Sequence, residues 1–223
     1  MDKVERVNDK REKVEYLSTD DARKFIEHFD SMGTQYKCII RFLLYYGLRR
    51  GELLGLTWED VNFEKKSFSI NKGITYSKSG GLQRGHTKSD KSNRTLSLTD
   101  ELIDLLMQWQ KEQSQYFMPC AVTKTCYIFS SPEDMDTPLS PSVITKTIKR
   151  EAERCGIKDV SPHDLRHTCA TLMSFTGVQA KSIQNLLGHA DISTTLKFYV
   201  GEDEVIAKEE SEHYISSVFK ETS

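Results

Sequence analysis

Three observations predict an α+β fold, mainly α-helical, with one small antiparallel β-sheet. Apolar residues recur at helical spacing in long segments on both flanks of the chain, whereas between residues 63 and 98 they alternate. Ser, Thr, Pro and Gly stand where helices start and stop. At 223 residues, with 37% hydrophobic and 29% charged side chains, the chain can bury a sizeable core as one main domain.

Residues 1–13 are charged and unpatterned, and read as a linker or disordered leader. Order begins with YLSTDDARKFIEHF, where Ser18 caps a helix and Asp20 and Asp21 complement its positive end. TQYKCIIRFLLYYGL is a buried helix closed by Gly47. RRGELLGLTWEDVNF follows as a sharp turn, a short helix and an exit into extended chain. FEKKSFSIN and RTLSL alternate like strands, and KSGGLQRGHTKSDKSNR between them reads as a mobile basic turn. TDELIDLLMQWQKEQ carries a Thr99 cap and a stripe of Leu102, Leu105, Leu106 and Trp109, and YIFSS is a short extended piece. LSPSVITKTIKREAERCG has a Ser140 cap, Pro141 in the first turn and a Gly156 stop. PHDLRHTCATLMSFTG, QAKSIQNLLGH and DISTTLKFY are three further helical pieces, the last two paired like a helix-turn-helix. The expected divisions are a leader at 1–13, a catalytic domain at 14–200 and an acidic, helical tail at 201–223.

No run of apolar residues is long enough to span a bilayer, and the charged opening is not a secretory signal, so no membrane association and a cytoplasmic location are expected. Five cysteines without a CxxC pair argue against a disulfide framework or a thiolate zinc site. The net charge of −2 hides an asymmetry. Residues 201–223 hold seven acids and two bases; removing them from totals of 33 and 31 leaves 26 acids against 29 bases in residues 1–200. The body is mildly basic, and local clustering of Lys and Arg decides whether it binds an anion.

SPHDLRHTCATL, residues 161–172, gathers two histidines and an arginine at one helix end. A zinc site on His163 and His167, a structural cluster and a phosphate clamp compete for it. Zinc is disfavoured because Asp164 stands where an HExxH motif has glutamate and Arg166 would repel the cation. His167 alone suits a core histidine. A structural reading must be repeated separately for YGLRRGEL, HTKSDKSNR, HDLRH, LLGHADIS and TTLKFYVG, and one reading covers all five: phosphodiester chemistry. Guanidinium forks on Arg49 and Arg166 match the non-bridging oxygens of a phosphoryl group. Tyr199 supplies a nucleophile, His163 a proton acceptor, Lys88 a general acid for the departing oxygen, and His189 a hydrogen bond to the phosphate. No nucleotide-binding loop or paired-carboxylate metal site is recognisable, so neither metal nor cofactor is expected.

The ordered set GLRRGE, TKSDKSNR, HDLRH, LLGH and a tyrosine soon after TT resembles the tyrosine recombinase, or phage-type integrase, family, particularly integrases of conjugative and other mobile elements. The resemblance runs from about Tyr16 to Tyr199. It implies that family's catalytic-domain fold and site-specific DNA integration and excision through a covalent 3′-phosphotyrosine. By the same resemblance Arg49 matches the first catalytic arginine, Lys88 the hairpin lysine, His163 and Arg166 the HxxR pair, His189 the LGH histidine and Tyr199 the nucleophile. Arg50 occupies a position where the family varies, and no catalytic role is carried onto it. Members place the nucleophile nine or ten residues after that histidine; here the first register gives Phe198, which has no nucleophilic oxygen, and the second Tyr199.

The implied partner is double-stranded DNA, on which the chain assembles with itself as a tetramer after existing as a monomer in isolation, with accessory excision or DNA-bending factors. Lys91 and Arg94 of the hairpin and Thr145, Lys146 and Lys149 of the following helix are candidate DNA contacts. The family's N-terminal core-binding domain has no counterpart in this sequence, which predicts weak, salt-dependent binding. Relaxation of the type IB topoisomerase kind, or DNA-binding regulation without catalysis, are the alternatives.

Overall fold

The computed structural model describes residues 16–77, 81–86, 93–117, 126–157 and 159–198. The predicted leader and acidic tail lie outside them.

Among the described residues, eight α-helices and five short strands follow the predicted order, with one correction in the strands. Helix α1 (Thr19–Asp30) starts where the Ser18 side chain accepts from the Asp21 amide. Helix α2 (Thr34–Tyr46) is the central one: Cys38, Ile39, Ile40, Phe42 and Leu43 are all buried, because its sequence is apolar on nearly every face. It packs against α1 and against α4 (Asp100–Tyr116) and α6 (Pro162–Phe175). Buried Arg41 ties this group together through Asp30 at 2.8 Å and Glu101 at 2.7 Å. Gly47 ends α2 at φ +57, and a Cβ there would lie 2.5 Å from Leu187, so glycine both turns the chain and admits a neighbouring helix.

Helix α3 (Arg50–Gly55) and a 3₁₀ turn (Trp58–Asp60) lead into strands β1 (Val61–Asn62) and β2 (Ser67–Ile70). With β5 (Arg94–Ser97) these form a three-stranded antiparallel sheet in the order β1-β2-β5, in which Phe68 faces Leu96. Phe68 meets Phe42 edge-on at 5.1 Å and Tyr46 at 5.0 Å, locking the sheet to α2.

The stretch expected to be a mobile basic turn supplies one strand of a second sheet. Strand β3 (Lys72–Ser77) pairs with β4 (Gly81–His86) from Lys72 opposite His86 to Ser77 opposite Gly81. Glycine-rich, polar residues 81–86 have low strand propensity, but pairing along all of β3 supplies the backbone hydrogen bonds that propensity does not. This hairpin crosses α3 so closely that a Cβ on Gly51 would collide with the carbonyl of Ile74.

Tyr127, Ile128 and Phe129 are buried, and the predicted extended piece makes only isolated bridges, Thr57 with Tyr127 and Ser130 with Pro138. Fully buried Gln113 of α4 organises it, accepting from Trp58 Nε1 and donating to the Tyr127 carbonyl and the Ser130 hydroxyl. Helix α5 (Pro141–Arg154) begins at Ser140, whose side chain makes no capping bond and instead pairs with the Ser142 hydroxyl, so Pro141 rather than a serine cap marks the start. Helix α7 (Ala180–Leu187) stops at Gly188, and the expected last helix shortens to a single turn, α8 (Ser193–Leu196).

Among the described residues, no helix is long and apolar enough to cross a membrane.

Candidate active site

The last carbonyls of an α-helix have no partner within it and mark its negative end. At the C-terminus of α7 three successive carbonyls are each taken by an arginine from a different element. Arg94 Nε donates to Leu186 O at 2.6 Å, Arg166 Nη2 to Leu187 O at 2.8 Å and Arg49 Nη2 to Gly188 O at 3.2 Å. Arg49 precedes α3, Arg94 begins β5, and Arg166 lies on α6, held also by Gly47 O at 2.6 Å. Side chains more than a hundred positions apart in sequence are thereby brought to one helix end.

The same three guanidinium groups surround Glu52. Its carboxylate accepts from Arg49 Nη1 at 2.7 Å and from Arg94 Nη2 at 2.9 Å, and lies 4.0 Å from Arg166 Nη1. It also accepts from the Arg49 backbone N–H at 2.9 Å. Burial works against its charge, but the bonds and charge of Arg94, followed by those of Arg49, hold its pKa below the usual carboxylate value. Arg166 is 5% exposed, and burial first, then Arg49, push its pKa down from the ordinary arginine value. It remains a cation at neutral pH. Arg49 keeps 45% of its side chain exposed and is the member of the trio most open to a ligand.

A cleft of about 440 Å³ opens beside the trio, lined by Arg49, Arg50, Thr145, Ser161, His163 and Arg166. His163 stands in the first turn of α6, whose start is fixed by a reciprocal cap between Ser161 and Asp164. Its Nε2 is 2.7 Å from Nε2 of His167, so one ring donates and the other accepts. His167 is therefore half-buried beside His163, whereas the sequence reading put it in the core.

His189 follows Gly188, and its Nδ1 meets the hydroxyl of buried Thr195 at 2.9 Å. Burial, then the charges of Arg166, Arg49 and Arg94, lower its pKa to about 4, so the ring is neutral at neutral pH. Phe198 stacks on His189 at 6.3 Å and meets His167 edge-on at 5.2 Å, while packing against Cys169, Ala170, Ile183 and Leu187.

Four predicted site residues, Arg49, His163, Arg166 and His189, thus occur together. Lys88, Lys91 and Tyr199 lie outside the described residues. Lys146 is exposed, and exposed Lys149 is 3.4 Å from Asp159. Thr145 lines the cleft, but its hydroxyl donates to Pro141 O and accepts from Arg50. Arg94, a candidate DNA contact, has its side chain 7% exposed and bonded to Glu52 and to Leu186 O, within the frame that holds the site. Glu52 was not anticipated; the available signal was an acid three residues beyond Arg49, where helix starts commonly carry one. Among the described residues, no group of three or more His, Cys, Asp and Glu is placed to hold a metal ion.

Residues 15–204 match the sequence profile of the phage integrase family. Among curated proteins, the chain is 29% identical over 199 residues to a XerC-like tyrosine recombinase of Caldanaerobacter subterraneus subsp. tengcongensis, covering 83% of this chain and 50% of that protein. It is 26% identical to the ICEBs1 integrase of Bacillus subtilis over 89% of this chain and 53% of that protein. With the XerA tyrosine recombinase of Pyrococcus horikoshii it shares 35% identity over 80% of this chain and 54% of the other. The chain spans about half the length of the curated relatives it matches. Crystalline XerA recombinase superposes with a TM-score of 0.68 at 28% identity, covering 89% of this chain and 63% of that one. The Tn1549 transposon integrase, solved with a circular intermediate DNA, superposes with a TM-score of 0.78 at 20% identity over 93% of this chain and 68% of that one, a likeness of fold.

Proposed function

Because the chain belongs to the phage integrase family, we propose that it is the catalytic part of a site-specific DNA recombinase, breaking and rejoining strands through a covalent 3′-phosphotyrosine. One observation carries this reading: Arg49 and Arg166 hang from successive carbonyls of one helix end beside a cleft that His163 also lines. Two fixed guanidinium groups suit the charge that spreads over the non-bridging oxygens of a five-coordinate phosphorus.

In this mechanism the Tyr199 hydroxyl attacks phosphorus, its proton passes to His163, and the bond from phosphorus to the 5′ oxygen breaks as Lys88 protonates that oxygen. A 3′-phosphotyrosine and a free 5′ hydroxyl result. Attack by the 5′ hydroxyl of another strand reverses each transfer, so bond energy is conserved. We assign the proton of neutral His189 to Nε2, with Nδ1 accepting from the Thr195 hydroxyl, so that Nε2 donates to the phosphate. Phe198 packs between His167 and His189 and has no nucleophilic oxygen, which supports the ten-residue register and Tyr199 as nucleophile. Double-stranded DNA is the partner, with assembly into a tetramer on it and accessory factors as in the sequence reading. We also keep the divisions at 1–13, 14–200 and 201–223, and a cytoplasmic location on DNA.

Suicide half-site DNA tests the proposal. A covalent adduct is expected, mapping to Tyr199 and abolished by Tyr199→Phe; an adduct that survives this substitution overturns the assignment. Absence of any adduct, with supercoiled plasmid relaxed at no defined site, overturns recombination itself.

A further inference from the structure

We infer that Arg50, positioned by Thr145, is a second anion-binding point in the cleft, gripping a DNA phosphate next to the scissile one. The inference rests on the proposed function.

Arg50 follows Arg49 directly and lines the same cleft as Arg49, His163 and Arg166. The three arginines of the helix-end cluster are paired with Glu52, whereas Arg50 is exposed and has no acidic partner among the described residues. It is nevertheless not left loose. Its Nη1 donates to Thr145 Oγ1 at 2.7 Å, and that hydroxyl sends its own proton to Pro141 O at 3.0 Å, one turn earlier on α5. The Thr145 lone pair is therefore fixed in direction, and it fixes the guanidinium across the gap between α3 and α5. A guanidinium has five N–H donors in a planar fork, and this contact uses one. The rest match phosphate oxygens, to which arginine binds with paired, charge-assisted bonds.

A phosphate rather than a base is the expected ligand. Arg50 sits beside two arginines already directed at one anion, and DNA presents its next phosphate along the same backbone. Thr145 takes the part of a positioning residue, since its hydroxyl is committed at both ends.

The test titrates the full chain against short duplexes of several unrelated sequences over a range of salt. Arg50→Ala should weaken binding roughly tenfold, by the same factor on every sequence, and reduce the slope of log affinity against log salt by about 0.9. Arg50→Lys should keep the slope but recover only part of the affinity, because an ammonium cannot reproduce the fork. Thr145→Val should lose part of the affinity with the slope intact, Thr145→Ser should restore it, and Arg50→Ala/Thr145→Val should be no weaker than Arg50→Ala alone. An exposed arginine is not needed for folding, so circular dichroism of Arg50→Ala should match the parent. Unchanged affinity and slope in Arg50→Ala overturn the inference, as does a loss confined to duplexes carrying one particular base pair. The half-site assay separates the two claims: no adduct from the parent protein sinks the recombinase reading, while the salt slopes still decide Arg50.

Discussion

Glu52 is a single carboxylate, 4% exposed, shared among Arg49, Arg94 and Arg166. Glu52→Gln removes the negative charge from a buried place where Arg94 and Arg166 stay charged, and breaking such a pair costs about 3–5 kcal/mol. Urea denaturation at neutral pH should show that loss. The pH dependence has a definite sign: because the folded pKa lies below the unfolded one, the stabilisation is present above the ordinary carboxylate range and is lost as pH falls through the folded value. His189 gives a second residue-level expectation. Proton NMR should place its titration near pH 4, against about 6.5 for an unhindered imidazole, and DNA affinity should show no step from its charging between pH 5 and 8. That Arg49, His163, Arg166 and His189 come together was legible in the sequence because these residue types stand in a distinctive order. Glu52 was hidden because an acid at the third position of a helix is ordinary capping chemistry. The burial of Arg94 was not legible, because a basic residue after a basic loop looks like a surface cation, and only the fold reveals that β5 directs it inward to Glu52.

At the level of elements, helices with a strong period and a clear stop were readable: α2 ends at Gly47, and α6 begins with the Ser161–Asp164 cap. Strand β4 was not, because its pairing with β3 outweighs a composition that speaks for a loop. Helix α8 shrank to one turn, too short to sustain itself without packing against α7. One link between distant elements has its own pH signature. Glu151 of α5, whose side chain is 1% exposed, bonds His28 of α1 at 2.9 Å and accepts from Arg150 and Arg154. Burial opposes its charge, but the bonds from His28, Arg150 and Arg154 pull its pKa from 4.5 to about 2. The folded value is the lower, so this stability is complete above pH 4.5 and disappears as pH falls towards 2. Its worth is at most about 3 kcal/mol, an upper limit because Arg150 and Arg154 are solvent-exposed. Glu151→Gln should flatten the acid limb of the stability curve over that interval, as read by denaturation at each pH.

For the whole molecule, the net charge of −2 says little about ligands, because the relevant charge is local. Sulfate, a phosphate mimic, should raise the melting temperature more than chloride at equal ionic strength, and Arg49→Ala should shrink this difference to the part that exclusion of sulfate from any protein surface supplies. A difference left unchanged by Arg49→Ala would mean that no sulfate binds at the site.

Those successive carbonyls at the end of α7 have one more consequence. Three cations against one anion leave this group of four side chains with a surplus of two positive charges, which the carbonyls at the end of α7 offset only in part. A bound anion would lower that surplus further. Occupation of the site by an anion, such as the phosphodiester of the proposed reaction, should therefore stiffen the junction of α3, α6, α7 and β5.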